Sequence, residues 1–147
     1  MATKEENIVD AILTAISGIS VANGYSFNIG SNYFDWRDTQ LDASELPAIN
    51  VKATEDRVNY EEDNKDRFIY VTIDLIPAGS TTACKDARRK KQDVLTAITA
   101  FLGTNIGTLI VGLEYAGSIN QVDHETLKFA GVEMNFIIQY AAEYLAI

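Results

Sequence analysis

Apolar residues recur at helical spacing near the start of the chain. Five of them share one face of a helix: Ile8, Val9, Ile12, Leu13 and Ile16. Thr3 and Glu6 precede this stripe in the T-x-x-E pattern that caps a helix N-terminus. Gly18 follows the stripe as a stop signal. The pattern predicts a first helix over residues 4–17.

The rest of the chain alternates between strand-like and helical patterns. Apolar and polar residues alternate, as in half-buried strands, over residues 25–29, 47–53, 68–76, 109–115 and 127–140. A second apolar stripe at helical spacing predicts a helix that starts near Ser80 and ends near Phe101. Residues 31–46 have no clear period, and residues 55–67 are charged and turn-like.

The predicted order of elements is α-β-β-β-α-β-β. Consecutive strands favour antiparallel pairing, and two amphipathic helices can cover one face of the resulting sheet. We therefore predict a two-layer α+β fold with a mainly antiparallel sheet. A chain of 147 residues with 47% apolar residues is the size and composition of one domain, here residues 1–147.

Charge and cysteine content narrow the function classes. The formal net charge of -9 is unsuited to wrapping DNA, because such binding neutralises phosphates with cations. The single cysteine excludes an internal disulfide and a multi-cysteine zinc site. No apolar run approaches the roughly 20 residues that cross a bilayer, and the N-terminus lacks the pattern of a signal peptide. We expect a soluble intracellular domain without membrane or sequence-specific nucleic-acid partners.

Residues capable of catalysis are few. His124 is the only histidine, and Cys84 lies near the start of the predicted second helix. Neither has the partners that a nucleophile, a general base or a metal site needs. We expect no catalytic role for either residue, no cofactor and no bound metal, so the chain is not expected to be an enzyme. The competing class is an enzyme or small-ligand binder that uses the 31–46 loop together with His124.

Two segments of opposite charge and one aromatic residue are candidates for protein contacts. The basic turn, Arg88, Arg89, Lys90 and Lys91, opposes the dipole of its own helix. It is either a solvated helix end or the counterpart of an acidic surface. The acidic stretch comprises Glu55, Asp56, Glu61, Glu62, Asp63 and Asp66. Trp36 lies in the aromatic 31–46 loop, which either binds a partner or caps the edge of the core.

Together these segments resemble a known family. The capped first helix is followed by LPAINV at 46–51, RFIYVTIDLI at 67–76, KDARRKKQDV at 85–94 and AGVEMNFIIQY at 130–140. This arrangement resembles the tail terminator proteins of tailed bacteriophages, of the minor tail protein U type. The resemblance covers most of the chain, and it rests on element order and loose motifs. The 31–46 loop and the last few residues are not clearly matched.

The resemblance implies a structural role in the virion. Such proteins form a ring, typically six-fold, on the head-proximal end of the tail tube, after assembly in the host cytoplasm. The ring stops tube polymerisation and presents a surface to head-completion or neck proteins. Within such a homohexamer we predict that the basic turn faces the acidic stretch of a neighbouring subunit. Another phage neck or connector protein, or a tail tube subunit, is the nearest alternative.

Overall fold

A computed structural model of the protein describes residues 3–28, 32–37, 48–58, 66–76, 83–123 and 128–141. It contains two helices, α1 (Lys4–Ser17) and α2 (Ala83–Asn105), and a short 3-10 turn at Val21–Asn23. Its five strands are β1 (Tyr33–Asp35), β2 (Ala48–Val58), β3 (Asp66–Ile76), β4 (Gly112–Asp123) and β5 (Lys128–Ala141).

Helix α1 begins and ends where the local sequence predicts. The Thr3 hydroxyl accepts a hydrogen bond from the Glu6 N–H at 3.1 Å, and the Glu6 carboxylate accepts one from the Thr3 N–H at 2.7 Å. This reciprocal pair satisfies two amide groups that the helix itself cannot bond. At the other end the Gly18 N–H bonds to the carbonyl of Ala15. The predicted capping box is confirmed.

The strands form one sheet in the order β1-β2-β3-β5-β4. β1 runs parallel to β2, and the three remaining pairs are antiparallel. The core lies between one face of this sheet and the two helices. From the sheet it takes alternate residues of β3 and β5, including Ile69, Val71, Ile73, Met134, Phe136 and Ile138. The α+β class and the order α-β-β-β-α-β-β are therefore confirmed.

The first strand lies elsewhere than predicted. Residues 25–28 form no strand, because the carboxylate of Asp93 on α2 accepts the N–H groups of Ser26 and Phe27 at 3.1 and 3.0 Å. Those amides therefore have no need of a strand partner. The first strand is β1, which falls inside the 31–46 segment that was expected to be a loop.

The charged segment 55–67 is also more regular than predicted. β2 continues to Val58 and β3 already begins at Asp66, so both strands enter the charged segment. Backbone ladders form regardless of side-chain charge, and here the charges are also paired across or along the strands. Arg67 forms an ion pair with Asp56. Residues 59–65 lie outside the described residues.

Two further boundaries were wrong. α2 continues to Asn105 rather than ending near Phe101, and β4 spans Gly112–Asp123 rather than 109–115. Val111, which was predicted to lie within this strand, precedes it and is exposed. β4 is irregular in its pairing with β5 between Tyr115 and Gly117 and again after Gln121. Such irregularities break the two-residue period by which a strand is recognised in sequence.

No helix in the described parts of the chain is both long and apolar enough to span a membrane.

Candidate interaction surface

Trp36 is the only non-glycine residue in the described segments with a left-handed backbone, at φ 50°. A bulky side chain rarely adopts this conformation, which costs of the order of 1–3 kcal/mol. The Trp36 N–H donates to the carbonyl of Val51 at 2.8 Å, so the conformation is fixed by β2. The side chain is 46% exposed. The strain therefore presents an indole ring at the surface.

The side chain of Asn50 on β2 also holds this segment in place, and we call its two hydrogen bonds the Asn50 lock. Its side chain is at one of the few buried polar positions, 4% exposed. Its Oδ1 accepts the Arg37 N–H at 2.9 Å and its Nδ2 donates to the Arg37 carbonyl at 2.7 Å. The amide group thus pairs with the backbone as a neighbouring strand would. At the start of the segment, the Ile49 N–H donates to the Asn32 carbonyl at 2.9 Å. Residues 32–37 are therefore tied to β2 at both ends.

The exposed aromatic side chains Tyr33 and Trp36 form what we call the β1 edge patch. Tyr33 is 42% exposed, and Trp36 directly follows the same strand. The Phe34 ring between them lies 5.0 Å from the Arg37 guanidinium. Trp36 was predicted to be an interface residue, and its half-exposed ring is consistent with that prediction. The interface role of Trp36 and the alternative, a cap on the edge of the core, both stay predictions.

A second apolar surface lies at the other edge of the sheet. Val111, Tyr115 and Ile119 are exposed along and just before β4, and we call them the β4 edge patch. The Tyr115 ring packs against the Phe136 ring in a tilted arrangement, with 5.1 Å between the two ring centroids. The sequence placed Tyr115 on one face of its strand with Leu109, Val111 and Leu113, and it did not identify this patch. Its location depends on which strand is outermost, and alternation alone does not reveal that.

The basic turn is only partly available to a partner. Arg88 and Arg89 are exposed, whereas Lys90 and Lys91 are half-buried. The Lys90 Nζ lies 5.2 Å from the centroid of the Phe27 ring, which is within the range of a cation–π contact. The side chains of Ala87 and Asp93 on either side of the basic turn are buried, so this part of α2 packs against the rest of the protein.

The acidic stretch is divided between described and undescribed residues. Glu55 accepts from Arg57 Nε at 2.7 Å, and Asp56 pairs with Arg67, so both carboxylates have partners within the chain. Asp66 begins β3, but its side chain is outside the described atoms. Glu61, Glu62 and Asp63 lie outside the described residues. A contact between the basic turn and the acidic stretch of a neighbour stays a prediction.

A polar cluster closes the end of the core nearest the start of α1. The Arg67 guanidinium pairs with Asp56 and lies 5.7 Å from the Tyr140 ring centroid. Among the described residues, the Asp56 Oδ1 and Arg67 Nε atoms are buried without a hydrogen-bond partner. Burial, followed by the charge of Asp56, raises the pKa of Glu5 above its ordinary value. The Arg67–Asp56 ion pair neutralises the two central charges of this cluster. We therefore assign the cluster a structural role.

This cluster makes folding sensitive to alkaline pH. Burial, and then the negative charge of Asp56, raise the pKa of Tyr140 to about 12. Between pH 10 and 12 the unfolded chain loses this phenolic proton while the folded chain keeps it. The folded state therefore binds more protons, and stability falls by about 2 kcal/mol across this window.

Absorbance titration near 295 nm measures the ionisation of Tyr140 directly. The difference between wild type and Tyr140→Phe should have a midpoint near pH 12, and the variant should lose this part of the alkaline destabilisation. A midpoint near pH 10 would contradict the environment described for Tyr140.

The side chains of the two candidate catalytic residues are outside the described part of the structure. Cys84 lies in the first turn of α2, and its side chain is outside the described atoms. His124 lies outside the described residues. Within the described segments, no three His, Cys, Asp or Glu side chains are close enough to hold a metal ion.

Comparisons with known proteins do not assign the chain to a family. No protein-family model matches it, and no curated protein matches it.

Proposed function

We propose that this chain is a tail terminator: it forms a closed ring on the head-proximal end of a phage tail tube and stops tube growth. The observation that carries this proposal is the distribution of exposed large apolar side chains. Of the seven in the described residues, Tyr33 and Trp36 are at one edge of the sheet, and Val111, Tyr115 and Ile119 at the other. A protein with two different contact surfaces on opposite sides is suited to head-to-tail assembly.

Head-to-tail contacts have a particular geometrical consequence. Each subunit offers one surface to the copy before it and the other to the copy after it. If the rotation between copies closes, the product is a ring of fixed size, and otherwise it is an open filament. A terminator needs the closed outcome, because a closed ring leaves no free lateral contact and presents its two axial faces to different partners. One face meets the tail tube protein and the other meets a head-completion or neck protein.

The resemblance in element order supplies the phage context, and the chemistry is compatible with it. A ring that acts by position needs interfaces rather than a cofactor. The proposed site of action is the virion, at the junction of tail and head, after assembly in the host cytoplasm. Six subunits is the number that the resemblance implies.

Negative-stain imaging of the purified chain, combined with light-scattering mass determination over a concentration series, tests this proposal. We expect rings of uniform diameter with a mass about six times the 16.2 kDa of one chain. Long tubes of this chain alone would instead identify a tube subunit. A chain that stays monomeric at high concentration, both alone and with tail tubes, would contradict the proposal and favour the ligand-binding class.

The basic turn gives a separate prediction about how subunits find their register. Each exposed ion pair is worth only about 0–1 kcal/mol, so the turn should steer assembly more than hold it. We expect Arg88→Glu/Arg89→Glu/Lys91→Glu to slow ring formation and to reverse its salt dependence, because salt then screens a repulsion from the acidic stretch. Lys90 is left in place because it contacts Phe27.

A charge-swap variant identifies the partner of the basic turn. Adding Glu61→Lys/Glu62→Lys/Asp63→Lys should restore ring formation if the acidic stretch of a neighbour faces the turn. Normal rings that fail to join tails would assign the turn to the tube or neck protein instead, and would refute the subunit contact.

A further inference from the structure

We propose that the β1 edge patch of one copy binds the β4 edge patch of the next, so that the sheet edges form the subunit interface of the ring. This inference rests on the proposed function and names the surfaces that would build it. The occupant of each patch is a second copy of this chain. The basic turn and the acidic stretch then act as additional polar contacts around an apolar centre.

The two patches cannot meet within one subunit. β1 and β4 are the first and last strands of the sheet order, so three strands lie between them. At about 4.8 Å per strand spacing they are separated by about 19 Å. Among the described residues, neither patch is covered by the other, and the side chains of both are exposed. Since the patches differ in residues and position, a contact between them repeats head-to-tail.

β4 is suited to be one side of an interface. It is long for an edge strand, and in the described structure it pairs only with β5. Natural proteins protect such edges with lysine, proline or a covering element. The sequence of β4, GLEYAGSINQVD, contains neither lysine, arginine nor proline. Its charged residues are Glu114 and Asp123, and its pairing with β5 is irregular at two places.

Apolar side chains extend along both sides of this edge. Tyr115 is opposite the buried Phe136, so it lies on the face that the helices cover. Beyond the first irregularity, Ile119 is opposite the half-buried Glu133 and lies on the other face, with 59% of its surface exposed. Val111 adds a third exposed side chain just before the strand. A partner that meets this edge can bury apolar surface on either side of it.

The β1 edge patch has the features expected of the other side. Trp36 is held in a costly backbone conformation by one hydrogen bond to Val51 and by the Asn50 side chain at Arg37, although the Trp36 side chain is 46% exposed. Backbone strain of this kind occurs where function requires it. Tryptophan and tyrosine are also the side chains that most often dominate the binding energy of interfaces.

A symmetric contact between two β4 edges is the main competing arrangement. It would bury Val111, Tyr115 and Ile119, but it would leave Tyr33 exposed and the strain at Trp36 without a function. It would also stop at a dimer, because an isologous contact uses the same surface on both partners. The head-to-tail arrangement covers both patches and continues to a ring.

Two variants, each disabling one edge, separate these arrangements. In the β1 variant, Tyr33→Ser/Trp36→Gly, glycine suits the left-handed backbone, so folding should be preserved while both rings are removed. In the β4 variant, Val111→Lys/Ile119→Lys, lysines block the edge as natural edge strands do. Tyr115 is retained because it packs on Phe136. Val21→Lys is the control, since Val21 is 55% exposed but lies in neither strand.

Light scattering of each variant alone and of the two mixed gives the decisive result. We expect each variant alone to associate at least about tenfold more weakly than wild type, since the patches supply most of the apolar contact. The mixture should form a dimer and nothing larger, through the intact β4 edge of one variant and the intact β1 edge of the other. Circular dichroism should show that both variants are folded, and Val21→Lys should form rings like wild type.

The contradicting outcomes are distinct. A β1 variant that dimerises by itself, while the mixture gains nothing, would assign the contact to two β4 edges and overturn the inference. The inference would also be overturned if both edge variants formed rings as readily as wild type, or if Val21→Lys failed to form rings. Either result would leave the proposed function intact. A wild-type chain that forms no ring, alone or on tail tubes, would overturn the proposed function itself.

Discussion

Replacing Asp93 with alanine should lower the free energy of unfolding by about 2–4 kcal/mol. Asp93 is 5% exposed and is the only acceptor that the structure assigns to the N–H groups of Ser26 and Phe27. Its carboxylate makes two charge-assisted hydrogen bonds, and each is worth about 1.5–3 kcal/mol before the freed amides regain water. Urea unfolding followed by circular dichroism measures the loss.

Two matched variants show whether this loss comes from the two hydrogen bonds. Asp93→Asn keeps one acceptor oxygen and should lose roughly half as much stability. Asp10→Ala removes an exposed aspartate from α1 and should change stability by less than about 0.5 kcal/mol. An Asp93→Ala variant as stable as the Asp10→Ala control would show that residues 25–28 are not anchored in this way.

Replacing Asn50 with leucine should affect both stability and assembly. The buried amide makes two hydrogen bonds with the backbone of Arg37, and leucine leaves both backbone groups without them. We expect a loss of about 2–3 kcal/mol. Because Trp36 then loses the lock beside it, the β1 edge patch should lose its fixed geometry, and ring formation should weaken by about tenfold or more. Unfolding experiments and light scattering measure the two effects separately.

Asn135→Ala is the control for the assembly effect. Asn135 accepts a single hydrogen bond, from the Thr72 hydroxyl at 3.1 Å, on the sheet face away from the helices. Its loss should cost about 1 kcal/mol and leave rings unchanged. If Asn50→Leu forms rings as readily as Asn135→Ala does, the geometry of Trp36 has no part in assembly.

Elements that depend on neighbouring residues were predictable from the sequence. The capping box of α1 joins residues three apart, and its apolar stripe repeats every three or four residues, so both are visible in the chain itself. The same holds for β3 and β5, whose strict alternation gives Ile69, Val71 and Ile73 to the core. The α+β class follows from counting such elements.

Elements that depend on distant residues were not predictable. Tyr25 and Phe27 alternate like a strand, but Asp93, more than sixty positions away, takes the amides that a strand would have used. β1 pairs with the backbone of β2 although its segment has no apolar period of its own, and the Asn50 side chain holds the chain just after it, at Arg37. An isolated polar residue between buried neighbours on a strand, as Asn50 is in AINV, is the signal that points to such a role.

The candidate surface was predictable only in part. Trp36 lies in an aromatic segment without a period, so it was predicted to be an interface residue. The β4 edge patch was missed for two reasons. The irregular pairing near Gly117 hides the second half of the strand, and alternation alone does not reveal that β5 lies inside the sheet while β4 lies at its edge.

The most direct test of the terminator proposal is tail tube growth in the presence of this chain. Tube subunits are polymerised with and without the purified chain, and tube lengths and ends are recorded by electron microscopy. The account predicts that elongation stops soon after the chain is added, and that a ring of uniform diameter caps one end of each tube. Tubes that keep lengthening at the same rate with bare ends, or that take up the chain along their whole length, would contradict it.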